Sequence, residues 1–278
     1  MRIGIIVRWV NPNLEEMVQE LSNRGAKVDL IYPDVQTTSL ANWRVDHDLY
    51  LLKSGTESAL SMAGALHVLG AAILNPYPTT VLLRNKIIVT RALQAAGIPT
   101  PETYIAPDPE GLAPFLEDGP VIVKPYRGSR GEGVQIVTHP DELKGVPVDG
   151  PVLAQRYHKP DPGEADRKIY RIGEQIFGVK RIWPLRTYQD KYGEPFVVSS
   201  ELSEIAMKCG EAFGLGLYGL DVVISEGQPY VVDVNKFGSF IGVPDAPAKL
   251  ADYVLEVGEG MVKGNTPLTV KEFGPAYR

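Results

Sequence analysis

Val121-Ile122-Val123-Lys124-Pro125-Tyr126-Arg127-Gly128-Ser129-Arg130-Gly131-Glu132-Gly133-Val134 carries an apolar strand into a lysine and then into three glycines within six residues. An apolar strand resumes at Val134 to Val137. Residues without a Cβ let a loop turn several backbone N–H groups onto one anion. The spacing matches neither the Walker loop nor the dinucleotide fingerprint, because no helix follows the glycines. Two readings stay open at this point: a phosphate-binding loop, or a glycine-rich hairpin without a ligand.

Downstream, Leu220-Asp221-Val222-Val223-Ile224, a turn, and Tyr230-Val231-Val232-Asp233-Val234-Asn235 read as a hairpin whose apolar strands bury acids and an amide. Such burial is costly unless the groups are paired or hold a cation. Asp221, Asp233 and Asn235 supply oxygen ligands of the kind magnesium takes, and residues two apart on a strand share a face. The alternative is a set of polar residues facing solvent. Between the loop and the hairpin, Arg167, Lys168, Arg171, Lys180, Arg181 and Arg186 meet one acid, Glu174. Alternation on adjacent strands would aim several of these cations into one cleft, with Lys168 and Arg181 the best placed, unless the segment is a solvated basic face.

The 278-residue chain is 44% hydrophobic and 22% charged, enough for one elaborate or two to three small domains and unlike a disordered or fibrous chain. Its net charge of −6 argues against a general nucleic-acid binder. The single cysteine, Cys209, leaves no intrachain disulfide and no cysteine cluster for zinc. The start does not read as a signal peptide, and the longest near-apolar run, Met62 to Leu74, is 13 residues, short of a bilayer crossing. The expectation is a soluble cytoplasmic protein without a membrane partner. Strands and helices alternate over residues 1–77, and Asn75-Pro76-Tyr77-Pro78 is expected to end that layer. A helix follows over Leu83 to Ala96, then a second strand-and-helix system to about residue 150. Leu202, Ile205, Ala206, Cys209, Ala212 and Phe213 recur at three- and four-residue steps, predicting a helix capped by Ser199 or Ser200 with Cys209 in the core.

Taken in order, a helix opening Arg84-Asn85-Lys86, the strand lysine Lys124, the glycine loop, a strand ending Gln155-Arg156-Tyr157, and Asp221 with Asp233-x-Asn235 resemble the ATP-grasp superfamily. The likeness covers about residues 1–260. It implies an α/β and α+β chain with the ATP-grasp fold: a Rossmann-like N-terminal domain (1–77), a central subdomain (78–152), a C-terminal subdomain (153–270) and a tail (271–278). By the resemblance, Lys86 and Lys124 hold ATP phosphates, and the loop Gly128, Ser129, Arg130, Gly131, Glu132, Gly133 closes over them. Gln155, Arg156 and Tyr157 form the adenine hinge, and Asp161 or Glu164 meets the ribose. Asp221, Asp233 and Asn235 hold one or two magnesium ions, with aspartate at 233 where the ligases usually carry glutamate.

Two branches of the superfamily compete. The Gly-Ser-Arg-Gly-Glu-Gly-Val loop and Asn75-Pro76 are similar to RimK-type carboxylate-amine ligases, which form an acyl phosphate and let an amine displace it. Ile182-Trp183-Pro184-Leu185-Arg186-Thr187-Tyr188 stands where those ligases place an Arg-x-Asn stretch and paired glycines. Asp233-x-Asn235-x-Phe237, Lys168-Ile169-Tyr170 and Val243-Pro244 resemble the inositol 1,3,4-trisphosphate 5/6-kinases, for which the cation cluster would meet a polyanion. The ligase is the preferred expectation, with Arg181 and Lys168 as catalytic cations. A kinase and a nucleotide-binding module without catalysis are the alternatives. The ligase reading implies ATP and magnesium, a small-molecule or peptide substrate and, from the family's habit, a homodimer. None of the four histidines falls in a matched motif.

Overall fold

A computed structural model describes residues 1–128, 131–147, 150–162, 166–181, 187 and 189–263. The N-terminal layer is a parallel sheet of β1 (Arg2–Ile6), β2 (Lys27–Ile31), β3 (Leu49–Leu52) and β4 (Ile73–Leu74), in the order β2-β1-β3-β4. Helix α1 (Pro12–Asn23) begins where Asn11 Oδ1 accepts from the Leu14 amide at 2.9 Å and Pro12 pre-sets the first turn. It buries Leu14, Met17 and Leu21 on one face, against Ile3 and Ile5. Helix α2 (Glu57–Val68), capped by Thr56, covers the other sheet face with Ala59, Leu60, Ala63 and Leu66.

The segment after Leu74 does not stop at its prolines. It forms α3 (Tyr77–Leu82), because Pro78 sits in the first turn, where no backbone N–H is needed. The expected helix from Leu83 begins later, as α4 (Lys86–Ala95), with the Asn85 side chain accepting from the Ile87 and Ile88 amides.

The middle sheet is antiparallel: β5 (Thr103–Ala106), β6 (Val121–Pro125), β7 (Gln135–Val137) and β8 (Val152–Arg156), in the order β5-β8-β6-β7. Its helical cover is a pair of 3₁₀ segments, Pro109–Leu116 and Pro140–Gly145, in place of regular α-helix. Pro114 inside the first removes an amide from any α ladder.

The third sheet is antiparallel too: β9 (Arg167–Ile172), β10 (Gln175–Lys180), β11 (Glu194–Phe196), β12 (Leu217–Ser225) and β13 (Gln228–Lys236), in the order β11-β10-β9-β12-β13. Helix α5 (Ser200–Phe213) packs on one face through Leu202, Ile205, Ala206, Cys209 and Phe213. Ser199 is its cap and Gly214 its left-handed stop, at φ +63°. Cys209 is buried as the periodicity predicts, and burial pushes its thiol pKa up.

The last helix, α6 (Ala246–Val262), returns to the first layer. Leu250, Ala251 and Val254 share the core of Ile3, Ile5, Leu14 and Met17, and Arg24, just after α1, pairs with Asp252 at 3.1 Å. No helix among the described residues is long and apolar enough to cross a membrane.

Candidate active site

Asp221 on β12 lies directly opposite Asp233 on β13, and Asn235 projects from the same face. The register shifts between Asp221 and Val222, a bulge of the kind that re-aims side chains beside functional sites. Asn235 Nδ2 donates to Asp221 Oδ2 at 2.7 Å, which leaves the amide carbonyl oxygen for another partner. On the other side of β12, Asp221 is in register with Lys168 of β9, whose ammonium donates to Asp221 Oδ1. Arg181, one residue past β10, lies 3.7 Å from Asp221 and 2.8 Å from Asp166 Oδ1.

Burial opposes ionisation of Asp221, but Lys168, Arg181 and the Asn235 amide outweigh it and hold the carboxyl below the usual carboxylate range. For Asp166 the balance is reversed: burial raises its pKa in spite of Arg181. Sequence reasoning passed over Asp166, which stands one residue outside the cationic run yet neutralises it from within.

Two lysines arrive from the other side. Lys86 Nζ, at the start of α4, is 2.7 Å from Asp233 Oδ1, and Lys124 Nζ, near the end of β6, donates to the Val232 carbonyl at 3.3 Å. Burial lowers the Lys124 pKa to about 8, with Asp233 opposing the shift and Lys86 adding to it. The Lys86 amide donates to the Tyr126 carbonyl at 2.9 Å, tying the start of α4 to the base of the glycine loop. Lys86, Lys124, Gln155 and Asp233 line one narrow cavity of about 10 Å³, room for about one water molecule. A larger cavity of about 450 Å³ lies elsewhere, between Asn75, the β9–β10 turn and α6. Convergent charge, rather than volume, singles out the candidate cleft.

Gly128, Gly131, Glu132 and Gly133 are exposed between β6 and β7. Gly131 and Gly133 stand at φ +74° and +72°, and the Val134 amide closes the turn onto the Gly131 carbonyl at 3.2 Å. Ser129, Arg130 and Glu164 lie outside the described residues. Gln155 is buried and donates to Thr103 Oγ1 at 3.2 Å. The Arg156 side chain serves the scaffold, donating to the carbonyls of Phe115 and Gly119 and to the Tyr104 hydroxyl. Tyr157 donates its amide to the Pro120 carbonyl at 2.9 Å, and His158 beyond it stacks on Tyr230 at 3.9 Å between centroids. Both Asp161 carboxylate oxygens accept from backbone amides, those of Glu226 and Gly227, capping the β12–β13 turn.

Of the cation run, the two expected to be best placed, Lys168 and Arg181, do meet at Asp221, while strand parity turns others away. Lys168 faces Asp221, whereas Arg171, three residues on, is buried toward the opposite side and binds the Gly173 carbonyl and Glu174. Arg167 lies over the Phe196 ring at 4.4 Å. Arg186 lies outside the described residues. Two further lysines went unremarked in the sequence. Lys53 follows β3 directly and donates to the Phe237 and Gly238 carbonyls at 2.8 and 2.7 Å, with burial lowering its pKa to about 7. Lys236 follows Asn235, and its Nζ is buried without a hydrogen-bond partner among the described residues. For Lys53 the available signal was a polar residue at the C-terminal edge of a parallel strand, where ligands and neighbouring layers gather.

Among the described residues, no three His, Cys, Asp or Glu side chains form a metal cage. Two carboxylates and an amide instead suit a hard cation that completes its shell with phosphate oxygens and water. Lys86 and Lys124 stand where those phosphates would need countercharge, so these residues fit a magnesium nucleotide.

A family model described as RimK-like ATP-grasp domain matches residues 83–243. The alpha-aminoadipate–LysW ligase LysX of Saccharolobus solfataricus is 27% identical over 259 residues, 86% of this chain and 90% of that protein. The coenzyme gamma-F420-2:alpha-L-glutamate ligase of Methanococcus maripaludis is 32% identical over 179 residues, 60% of this chain and 63% of that relative. In fold, the chain matches the RimK domain ATP-grasp protein from Sphaerobacter thermophilus with a TM-score of 0.74 at 22% identity, covering 91% of this chain and 99% of the other.

Proposed function

Because the chain belongs to the RimK-like ATP-grasp family, we propose that it is an ATP-dependent carboxylate-amine ligase acting through an acyl phosphate on a small-molecule or peptide substrate. The observation that carries this reading is the convergence of Lys86 and Asp233 across the cleft, with Lys124, Asp221 and Asn235 around them. That the similar curated proteins are ligases favours this over phosphorylation of an inositol phosphate.

In this reading Asp221, Asp233 and Asn235 hold magnesium, which when bound screens the phosphate oxygens. Lys86 and Lys124 neutralise the phosphates, the Gly128 to Gly133 loop covers them, and the chain at Gln155 to Tyr157 reads the base. A substrate carboxylate oxygen attacks the γ-phosphorus, and the bond to the β-phosphate oxygen breaks, releasing ADP. The amine then attacks the acyl carbon, phosphate leaves with the C–O bonding pair, and the amine nitrogen loses a proton. Little acid–base machinery is needed, since alignment and countercharge carry phosphoryl transfer. Lys168 and Arg181, already beside Asp221, supply positive charge where the acyl phosphate forms.

The test is incubation with magnesium, ATP and panels of carboxylates and amines, with hydroxylamine as a trap. ADP, phosphate and hydroxamate or amide formed in equal amounts support the ligase. A product carrying one added phosphate, with neither free phosphate nor hydroxamate, would replace it with a kinase.

A further inference from the structure

β13 pairs with β12 as far as Lys236, opposite Tyr218, so Asn235 stands one residue from the end of the ladder. Strand ends fray, and a metal ligand so placed needs a second hold. The chain just beyond it has one. From Phe237 to Phe240, four successive carbonyls accept hydrogen bonds from two side chains of the first layer. Lys53 Nζ donates to those of Phe237 and Gly238 at 2.8 and 2.7 Å, and Asn13 Nδ2 donates to those of Ser239 and Phe240 at 3.1 and 3.0 Å.

The segment would not keep this path unaided. Phe237 and Phe240 stand at φ +39° and +53°, a region costly for residues with a Cβ and kept only where the surroundings impose it. The Lys53 ammonium lies 4.8 Å from the centre of the Phe237 ring, and Phe240 packs on Tyr170 with 5.0 Å between ring centres. A Cβ built on Gly238 would lie 2.9 Å from the Tyr170 ring, so the backbone itself rests on that side chain. Tyr170 stands two residues beyond Lys168 on β9 and shares its face. The clamped segment therefore lies on the sheet face that carries Lys168, Asp221 and Asn235.

We propose that Lys53 is a positioning residue for Asn235: by fixing the two carbonyls just past β13 it keeps the strand end from fraying and holds the Asn235 side chain in place for a divalent cation. The Asn235 amide already donates to Asp221, so its carbonyl oxygen is the group that the clamp aims. Asn13 acts in the same way farther along the segment and influences Asn235 less. The inference rests on the reading of Asp221, Asp233 and Asn235 as metal ligands. Its consequence is that the first layer, which supplies none of those ligands, governs the affinity of the metal site.

The experiment titrates manganese, in place of magnesium, into the full chain with ADP, following the loss of the free ion's electron paramagnetic resonance signal. Hydrogen exchange of peptides covering residues 231–241 is measured alongside. In Lys53→Met the manganese dissociation constant should rise about tenfold, the size of one or two lost hydrogen bonds, and exchange over residues 235–238 should quicken. Asn13→Ala should give a smaller rise. Leu250→Ala, which opens a cavity in the core shared by Phe237 and Phe240, is the control for stability alone. It should lower the unfolding midpoint and leave the manganese constant as in the parent. Equal manganese affinity in Lys53→Met and the parent, or a rise in Leu250→Ala as large as in Lys53→Met, overturns the proposal. Should Lys53→Met not fold, Asn13→Ala decides, and unchanged manganese affinity in that variant overturns it. A parent chain that binds no manganese overturns the metal reading too, and exchange that still quickens in Lys53→Met then shows a clamp that serves the fold alone.

Discussion

Lys86 on α4 and Asp233 on β13 meet at 2.7 Å although 147 positions separate them in the chain. The pair joins α4 to the strand that carries the candidate metal ligands Asp233 and Asn235. Each group is therefore compensated before any nucleotide arrives: the lysine by a carboxylate, the carboxylate by a lysine. On the ligase reading, entry of magnesium and phosphate exchanges one countercharge for another at both residues, and no stage leaves either one bare.

Asp233→Asn keeps the volume and removes the charge. Stabilisers of charge in a reacting phosphate or acyl group commonly contribute about 10² to 10³ in rate. Turnover, followed as ADP release, should fall by that order while the circular dichroism spectrum stays that of the parent. Unchanged turnover would reduce Asp233 to a partner of Lys86 alone.

Lys124 should make nucleotide binding pH-dependent. Its pKa is lowered to about 8 by burial, and the protonated form is the one that attracts phosphate. Affinity for ADP with magnesium should thus hold up to about pH 8 and fall above it, approaching tenfold per pH unit, with proton uptake on binding in that range. Calorimetry in two buffers of different ionisation enthalpy measures both effects. Lys124→Arg should bind without the decline, because a guanidinium stays charged.

Lys53 should couple pH to stability in the opposite sense from a salt bridge. Its folded pKa, lowered to about 7 by burial, lies below the ordinary value of 10.5. Between those values the unfolded chain holds more protons, so stability rises with pH, by at most about 1.4 kcal/mol per pH unit, and is flat for this group below pH 7. Urea unfolding of the parent and Lys53→Met at pH 7, 8 and 9 should show the difference moving in favour of the parent. A constant difference would mean that the Phe237 and Gly238 carbonyls keep the ammonium charged.

Gly133 and Gly131 separate strain from crowding. Both stand in the left-handed region, where an L side chain costs about 1–2 kcal/mol. At Gly133 a Cβ would also lie 2.8 Å from Pro125 Cγ, whereas at Gly131 nothing lies within 4 Å. Gly133→Ala should therefore lower the unfolding midpoint, or ADP affinity, more than Gly131→Ala does. Equal effects would show that Pro125 yields freely.

The parts of the site that the sequence disclosed are those set by local rules. Strand alternation alone places Asp233 and Asn235 on one face, and helical spacing alone turns Cys209 inward. The limits are equally physical. Lys53, one residue past β3, reaches the Phe237 and Gly238 carbonyls only after the first and third sheets have packed. Arg167 and Arg171 share a strand with Lys168, and which face is the cleft cannot be told until β9 is seen between β10 and β12. Asp166 belongs with Arg181 through pairing across two strands, which no window along the chain contains. The α3 helix was hidden by prolines that a first turn accommodates.

The return of α6 to the first layer also dictates an order of events during synthesis. Ile3, Ile5, Leu14 and Met17 are synthesised more than 230 residues before Leu250, Ala251 and Val254, which form one side of the same core. This layer is thus begun before the other two sheets and finished after them, and its apolar face must wait uncovered, a stage at which chains are prone to aggregate. Nascent chains stalled before residue 246 should be chaperone clients, and the first layer cannot be exchanged between homologues as one contiguous cassette, because α6 follows the other two sheets in the chain.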